Sequence, residues 1–94
     1  MGGSRKKKGR KNLLTLTIVM MNSGSVLDIM VKPEQRIREV LKVLADNGQI
    51  SYTDESQNIY TRSWRLGRLV NNGLTFKQVR IQSGDILYIE VEAA

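Results

Sequence analysis

Six basic side chains lie within seven residues near the start of the chain, in residues 5–11 (RKKKGRK). Clustered lysines and arginines attract phosphate groups, because their binding releases counterions from a nucleic acid or an anionic membrane. No aromatic residue is interleaved with them to stack on bases, so we expect attraction without sequence specificity. The alternative is a tail that only solvates the protein, or one that is partly an expression tag. The basic residues are Arg5, Lys6, Lys7, Lys8, Arg10 and Lys11.

Tyr60, Arg62 and Trp64 form a second candidate binding group, in the segment IYTRSW. Its β-branched and aromatic residues predict a strand, and alternation along a strand places these three side chains on one face. The arginine indicates that this face is not buried, and an exposed tryptophan beside an arginine is typical of a protein-binding hot spot. The alternative is that Trp64 closes the edge of the core, because tryptophan is highly buried on average.

Composition excludes most catalytic and metal chemistry. The chain has no cysteine and no histidine, which removes thiolate sites, the commonest metal ligand and the usual nucleophile–base pairs. Asp54 and Glu55 are adjacent, but two carboxylates are too few for calcium, which takes about 6–8 oxygens. Gly67 and Gly73 stand singly, so no phosphate-cradling loop is present. We predict a protein that is not an enzyme and that has no cofactor or metal.

The net charge of +6 comes from the basic segment alone. It holds six of the fifteen lysines and arginines, and the nine that remain equal the nine acidic residues. Residues 1–12 contain no apolar side chain after Met1, so we predict a disordered tail there. Residues 13–94 form one small neutral domain by this prediction. No apolar run approaches the ~20 residues of a membrane span.

One helix is predicted between residues 31 and 48, and the rest of the domain must supply a surface for its apolar stripe. Four apolar residues recur at i, i+3, i+4 and i+7, which places them on one helical face. Asn47 and Gly48 predict its end, because both tolerate the left-handed conformation. The apolar face consists of Ile37, Val40, Leu41 and Leu44.

Alternating segments on both sides of the helix predict the sheet. Residues 14–20 and 26–31 form a hairpin, residues 59–64 and 66–70 two further strands, and residues 86–91 the last strand. Between the last two strands, residues 75–81 predict one helical turn capped by Thr75. The first and last strands are the most continuously apolar, so we place them side by side in the middle as a parallel pair. The predicted class is α+β, with one helix on a mixed sheet of about four or five strands.

The order of these elements is that of the β-grasp, and the residues resemble the ubiquitin-like superfamily. Val31-Lys32-Pro33 followed by Ile37 and Val40 resembles its strand end, proline and helix face. Residues 75–89 (TFKQVRIQSGDILYI) are similar to the ubiquitin-like ending, in which a helical turn leads through a Gly-Asp turn into the last strand. The resemblance covers residues 13–92. The ending EVEAA has no diglycine, which argues against conjugation or sulfur transfer.

Within that superfamily the chain resembles the YukD/EsaB-like small proteins of bacterial type VII secretion. The likeness rests on size, on the polar loop after the helix and on residues 74–89 (LTFKQVRIQSGDILYI). It implies a cytoplasmic, non-catalytic accessory or regulatory component that binds another protein of the secretion machinery through its sheet. The basic segment departs from that family, whose members begin close to the first strand. The alternative function is a small basic protein that binds nucleic acid or an anionic membrane through this arm.

Overall fold

The computed structural model describes residues 12–50 and 57–93. The basic residues of segment 5–11 and the pair Asp54 and Glu55 lie outside the described residues. Within them, no helix has the length and apolar character needed to cross a bilayer. The elements in chain order are β1 (Leu14–Met20), β2 (Val26–Val31), α1 (Ile37–Asp46), β3 (Gln57–Ser63), β4 (Arg68–Val70) and β5 (Ile86–Ala93).

The five strands form one sheet in the order β2-β1-β5-β3-β4. β1 and β5 are parallel neighbours at its centre, and every other pair is antiparallel. Alternation sends Leu16 and Ile18 of β1, and Leu87 and Ile89 of β5, to the same side, where all four are buried. α1 packs its predicted stripe on this side of the sheet, and all four stripe residues are buried. The predicted α+β architecture and central parallel pair are therefore confirmed.

The start of α1 lacks a Ser, Thr, Asp or Asn cap and uses other groups instead. Arg36 precedes the first helical residue, and its backbone N–H donates to Oε1 of Glu39 at 3.2 Å. The guanidinium of Arg36 donates to the carbonyl oxygen of Gly73 at 3.0 Å, which attaches the helix start to the loop after β4. The helix ends as predicted, with Gly48 at φ 75°.

β3 and β4 differ from the predicted strands at their ends. β3 begins at Gln57, because residues 57 and 58 pair with the end of β5. It stops at Ser63, and residues 64–67 form a turn in which Gly67 has φ 68°. β4 is therefore only three residues long, from Arg68 to Val70. Trp64 lies in the turn and not on the strand.

Residues 75–81 form a tight turn that carries three side chains into the core. Thr75 caps it as predicted: its Oγ1 accepts from the N–H of Gln78, and Oε1 of Gln78 accepts from the N–H of Thr75. Phe76, Val79 and Ile81 are buried, in agreement with the prediction. The chain leaves the turn through Arg80, whose φ of 66° is unusual for a residue with a side chain.

Replacing the exposed Arg80 by glycine is expected to stabilise the fold by about 0.5–1 kcal/mol. The left-handed conformation costs a non-glycine residue about 1–2 kcal/mol, and the greater freedom of glycine in the unfolded chain offsets part of that gain. Urea denaturation measures the change. Gln82→Gly is the matched control, because Gln82 is exposed without a positive φ. If both glycine variants are destabilised equally, backbone strain at Arg80 contributes nothing.

Candidate functional site

The face of the sheet opposite α1, called the open face below, is covered by no other described element. Strand register aligns its outward side chains in rows that cross the sheet. One row runs through all five strands, because Val26 pairs with Val19, Val19 with Tyr88, Tyr88 with Arg62, and Arg62 with Leu69. The row brings together residues from distant parts of the chain, so the open face is a continuous surface.

A groove of about 530 Å³ lies on the open face. The apolar surface of the groove is formed by Met21 and Leu69, which are both exposed, and by two tyrosines. One arginine and two glutamates supply charge, so the groove joins apolar area to groups of both signs. The lining residues are Met21, Tyr60, Arg62, Leu69, Tyr88, Glu90 and Glu92.

Tyr60 and Arg62 lie on the open face, as alternation predicts. Tyr60 is 39% exposed and pairs with Glu90, while the inward residues Thr61 and Ser63 are fully buried. The guanidinium of Arg62 points toward the carbonyl oxygen of Gly67, with an N–O distance of 3.5 Å. Both side chains therefore line the groove, with the charged end of Arg62 turned toward the β3–β4 turn.

Trp64 is the first residue after the end of β3. Its backbone N–H donates to the carbonyl oxygen of Ile86 at 2.9 Å, which fixes the turn against the start of β5. Its side chain is 61% exposed and does not line the groove. The alternative that Trp64 closes the core is therefore wrong, and the predicted strand is wrong in its last residue, because β3 ends at Ser63. The strand ends one residue earlier than predicted.

Replacing Trp64 by alanine is therefore expected to lower the free energy of unfolding by less than about 1 kcal/mol, as for other surface changes. Denaturant unfolding followed by circular dichroism measures the loss. A loss of several kcal/mol is typical of a truncated core tryptophan and would contradict the exposed placement.

Five of the groove residues were not among the predicted site residues. The alternation of β5 already places Tyr88 and Glu90 opposite the buried Leu87 and Ile89, so the sequence contained a signal for them. It contained none for Leu69, because only the β3–β4 register brings this residue beside Arg62. The other missed groove residues are Met21 and Glu92.

Asp85 is the one fully buried carboxylate among residues 12–50 and 57–93. Its Oδ2 accepts from Oγ of Ser63 at 2.5 Å, and its Oδ1 accepts from the backbone N–H groups of Arg65 at 3.0 Å and Ile86 at 2.7 Å. Oγ of Ser63 in turn accepts from the N–H of Leu66. Asp85 thus ties the β3–β4 turn to the start of β5, a structural role that the predicted Gly-Asp turn did not include.

The described residues hold no group of three or more Asp or Glu side chains placed to share a metal ion. The side chains of the open face offer apolar contact, hydrogen bonding and charge pairing. These interactions bind a ligand or a protein surface.

No family model matches the chain, and a search of curated proteins finds no similar sequence. Solved structures match it by fold. The C-terminal ubiquitin-like domain of mouse tubulin-specific chaperone e has a TM-score of 0.64 at 19% identity, over 84% of this chain and 86% of that one. The UBL domain of yeast Ddi1 has a TM-score of 0.62 at 13% identity, over 87% and 90%. The UBL domain of Plasmodium falciparum Dsk2 has a TM-score of 0.64 at 11% identity, over 85% and 99%.

These similarities establish that the chain has the ubiquitin-like fold, and the predicted β-grasp is confirmed. A protein designed de novo on the basis of ubiquitin is also similar, with a TM-score of 0.62 at 22% identity over 87% of this chain and 89% of that one. At these identities the likeness concerns the fold alone.

Proposed function

We propose that this chain is a non-catalytic protein-binding domain that docks a partner on the open face of its sheet. The observation that carries the proposal is the groove, where exposed Met21 and Leu69 lie beside Tyr60 and Tyr88. Large apolar side chains that stay exposed as one patch are typical of interaction sites. Tyrosine and arginine are also the residue types enriched in the centres of protein interfaces.

The charges of the groove describe the partner. Arg62 stands on one side, beside Leu69, and Glu90 and Glu92 follow each other on the open side of β5. A complementary partner places an acidic group against Arg62 and basic groups against the two glutamates, with an apolar side chain between them. Such an arrangement sets orientation and the rate of encounter more than affinity.

We further propose that the partner belongs to a type VII secretion apparatus, and that the chain is a cytoplasmic accessory or regulatory component of it. The support is the resemblance to YukD/EsaB-like proteins in size, in the polar loop after the helix and in residues 74–89. Neighbouring genes for a membrane ATPase and small WxG-type secreted proteins are the expected finding. A genome without them would contradict this assignment while leaving binding at the open face intact.

Leu69→Glu tests the docking surface. A carboxylate in the apolar part of the groove is expected to weaken partner binding at least tenfold, in the range of an interface hot spot. Val43→Glu is the control, because Val43 is also exposed but lies on α1, on the other side of the sheet. Partners are captured with the full chain from its own host, and the affinity of each purified partner is measured for both variants. Unchanged affinity for Leu69→Glu would contradict docking at the open face.

A further inference from the structure

Several segments of the domain meet at the end of the sheet where β1 begins. The N–H of Thr15 donates to Oγ of Ser83 at 2.8 Å, and the N–H of Gly84 donates to the carbonyl oxygen of Thr15 at 2.7 Å. The N–H of Lys77 donates to the carbonyl oxygen of Pro33 at 2.9 Å. The linker between β2 and α1 and the turn before β5 therefore lie at this end, from which residue 12 leads back to the basic segment. We call it the arm end.

The β3–β4 turn lies at the arm end as well. The N–H of Trp64 donates to the first residue of β5, and the N–H of Arg65 donates to Asp85 just before it. Met30 also belongs here, because it pairs with Thr15 at the beginning of β1. Met30 and Trp64 are both more than half exposed, so the arm end carries apolar surface that the fold does not use.

The charges of the domain are balanced in number but separated in position. The exposed carboxylates Glu90 and Glu92 lie on the last residues of β5, and Asp46 lies at the end of α1, all away from the arm end. Asp85 is at the arm end but is buried and fully hydrogen-bonded. Glu34 is an exposed carboxylate at the arm end, in the linker between β2 and α1, and the exposed Glu39 accepts from the backbone N–H of Arg36 at the end of that linker. Five exposed cations lie there: Lys32, Arg65, Arg68, Lys77 and Arg80.

We propose that the arm end docks on an anionic phospholipid membrane. The five exposed cations attract the headgroups together, because each lysine or arginine near an anionic surface adds to the binding free energy. Trp64 enters the headgroup region, where its ring has an apolar body and a polar N–H. The basic patch and the aromatic ring therefore add electrostatic attraction and interfacial contact at one surface. This surface is distinct from the groove, so the proposal goes beyond protein binding.

The arrangement favours a membrane over a nucleic acid. A single strand is bound in a basic groove with several aromatic side chains that stack on successive bases. Here the cations are spread over one end of the domain, and Trp64 is the chain's single tryptophan. The exposed Met30 offers apolar contact but no ring for stacking. A flat anionic surface with an apolar interior matches both features.

The test uses the full chain and phosphatidylcholine vesicles with and without about 30% phosphatidylglycerol, an anionic lipid. Emission from Trp64 reports its environment without a label, because no other tryptophan is present. We expect co-sedimentation and a blue shift with the anionic vesicles only. Binding to anionic vesicles without any blue shift would contradict the insertion of Trp64.

Two double variants with the same change in net charge distinguish an effect of the arm end from an effect of the protein's total charge. Lys32→Glu with Lys77→Glu is expected to weaken vesicle binding at least tenfold, since each cation near the surface contributes about fivefold. Arg38→Glu with Lys42→Glu makes the same charge change on exposed positions of α1 and is expected to cost no more than about threefold. Thermal unfolding checks that both remain folded, and the glutamine versions replace any pair that does not.

Equal weakening by the two double variants would overturn the proposal, because binding would then follow net charge alone. Tighter binding to a single-stranded or duplex oligonucleotide, lost in the same arm-end variant, would also overturn it in favour of a nucleic acid. Leu69→Glu keeps vesicle binding if the proposal is right. Failure of docking at the open face and failure at the arm end therefore give different results.

Discussion

Asp85→Ala is expected to lower the free energy of unfolding by about 3–5 kcal/mol, enough to unfold a large share of the molecules of a small domain. The carboxylate accepts from the hydroxyl of Ser63 and from the backbone N–H groups of Arg65 and Ile86. Asp85 is 0% exposed, so water does not replace the lost acceptor without a rearrangement. The variant leaves buried donors unsatisfied, and each one costs about 1–3 kcal/mol.

Two further variants make this result specific. Asp85→Asn keeps a side-chain oxygen for the two backbone donors, so we expect less than about half of the loss. Asp28→Ala removes an exposed carboxylate that accepts from Oγ1 of Thr17 at 2.8 Å and is expected to cost less than about 1 kcal/mol. Urea denaturation followed by circular dichroism measures all three. A loss for Asp85→Ala no greater than for Asp28→Ala would show that the buried network does not stabilise the fold.

Phe76→Ala is expected to cost about 3–5 kcal/mol, the usual range for a truncated core phenylalanine. Phe76 is the largest of the fully buried side chains and is 1% exposed. Its backbone N–H also donates to the carbonyl oxygen of Gln35 at 3.2 Å, so the residue joins the turn before β5 to the linker before α1. Loss of the ring leaves a cavity in the core at the point where these two segments are joined.

The comparison of aromatic residues tests the assignment of the core. Phe76→Leu retains most of the apolar volume and is expected to cost less than about 1.5 kcal/mol. Trp64→Ala removes a larger ring but has little effect by the prediction above, because that ring lies at the surface. Equal losses for Phe76→Ala and Trp64→Ala, measured by the same denaturation experiment, would contradict the core described here.

The sequence predicts the helix and strands well where buried residues recur at the regular spacing of a strand or a helix. Alternation placed Leu16 and Ile18 inside, and the helical spacing of Ile37 and Val40 predicted the face that packs on the sheet. The end of β3 was missed because no local signal marks it. Trp64 is a good strand residue by propensity, but its neighbours Ser63 and Arg65 form hydrogen bonds to Asp85, which lies 22 and 20 residues later, and the chain turns there. A contact of this kind is not visible in a local pattern.

The open face was predicted in part, for a similar reason. An arginine at position 62 indicated that its side of the strand is exposed, and that inference holds. Leu69 and Met21 join the groove only through the pairing of strands, which a single sequence does not specify. A count of charges in residues 13–94 gives equal numbers of basic and acidic residues but says nothing of where they lie. The separation of Lys77 and Arg80 from Glu90 appears only once the strands are arranged.

The central pairing of β1 with β5 also determines which part of the sheet forms last. Oδ1 of Asn22 accepts from the N–H of Val91, and Nδ2 of Asn22 donates to its carbonyl oxygen, across 69 residues of chain. Contacts between such distant residues slow folding, because a long loop must close before they form. During synthesis the hairpin and α1 emerge from the ribosome first. One edge of β1 then has no strand to pair with until residues 86–93 have also emerged. Until that moment the nascent chain exposes a strand edge and half of a core, the features that make an unfinished chain prone to aggregation.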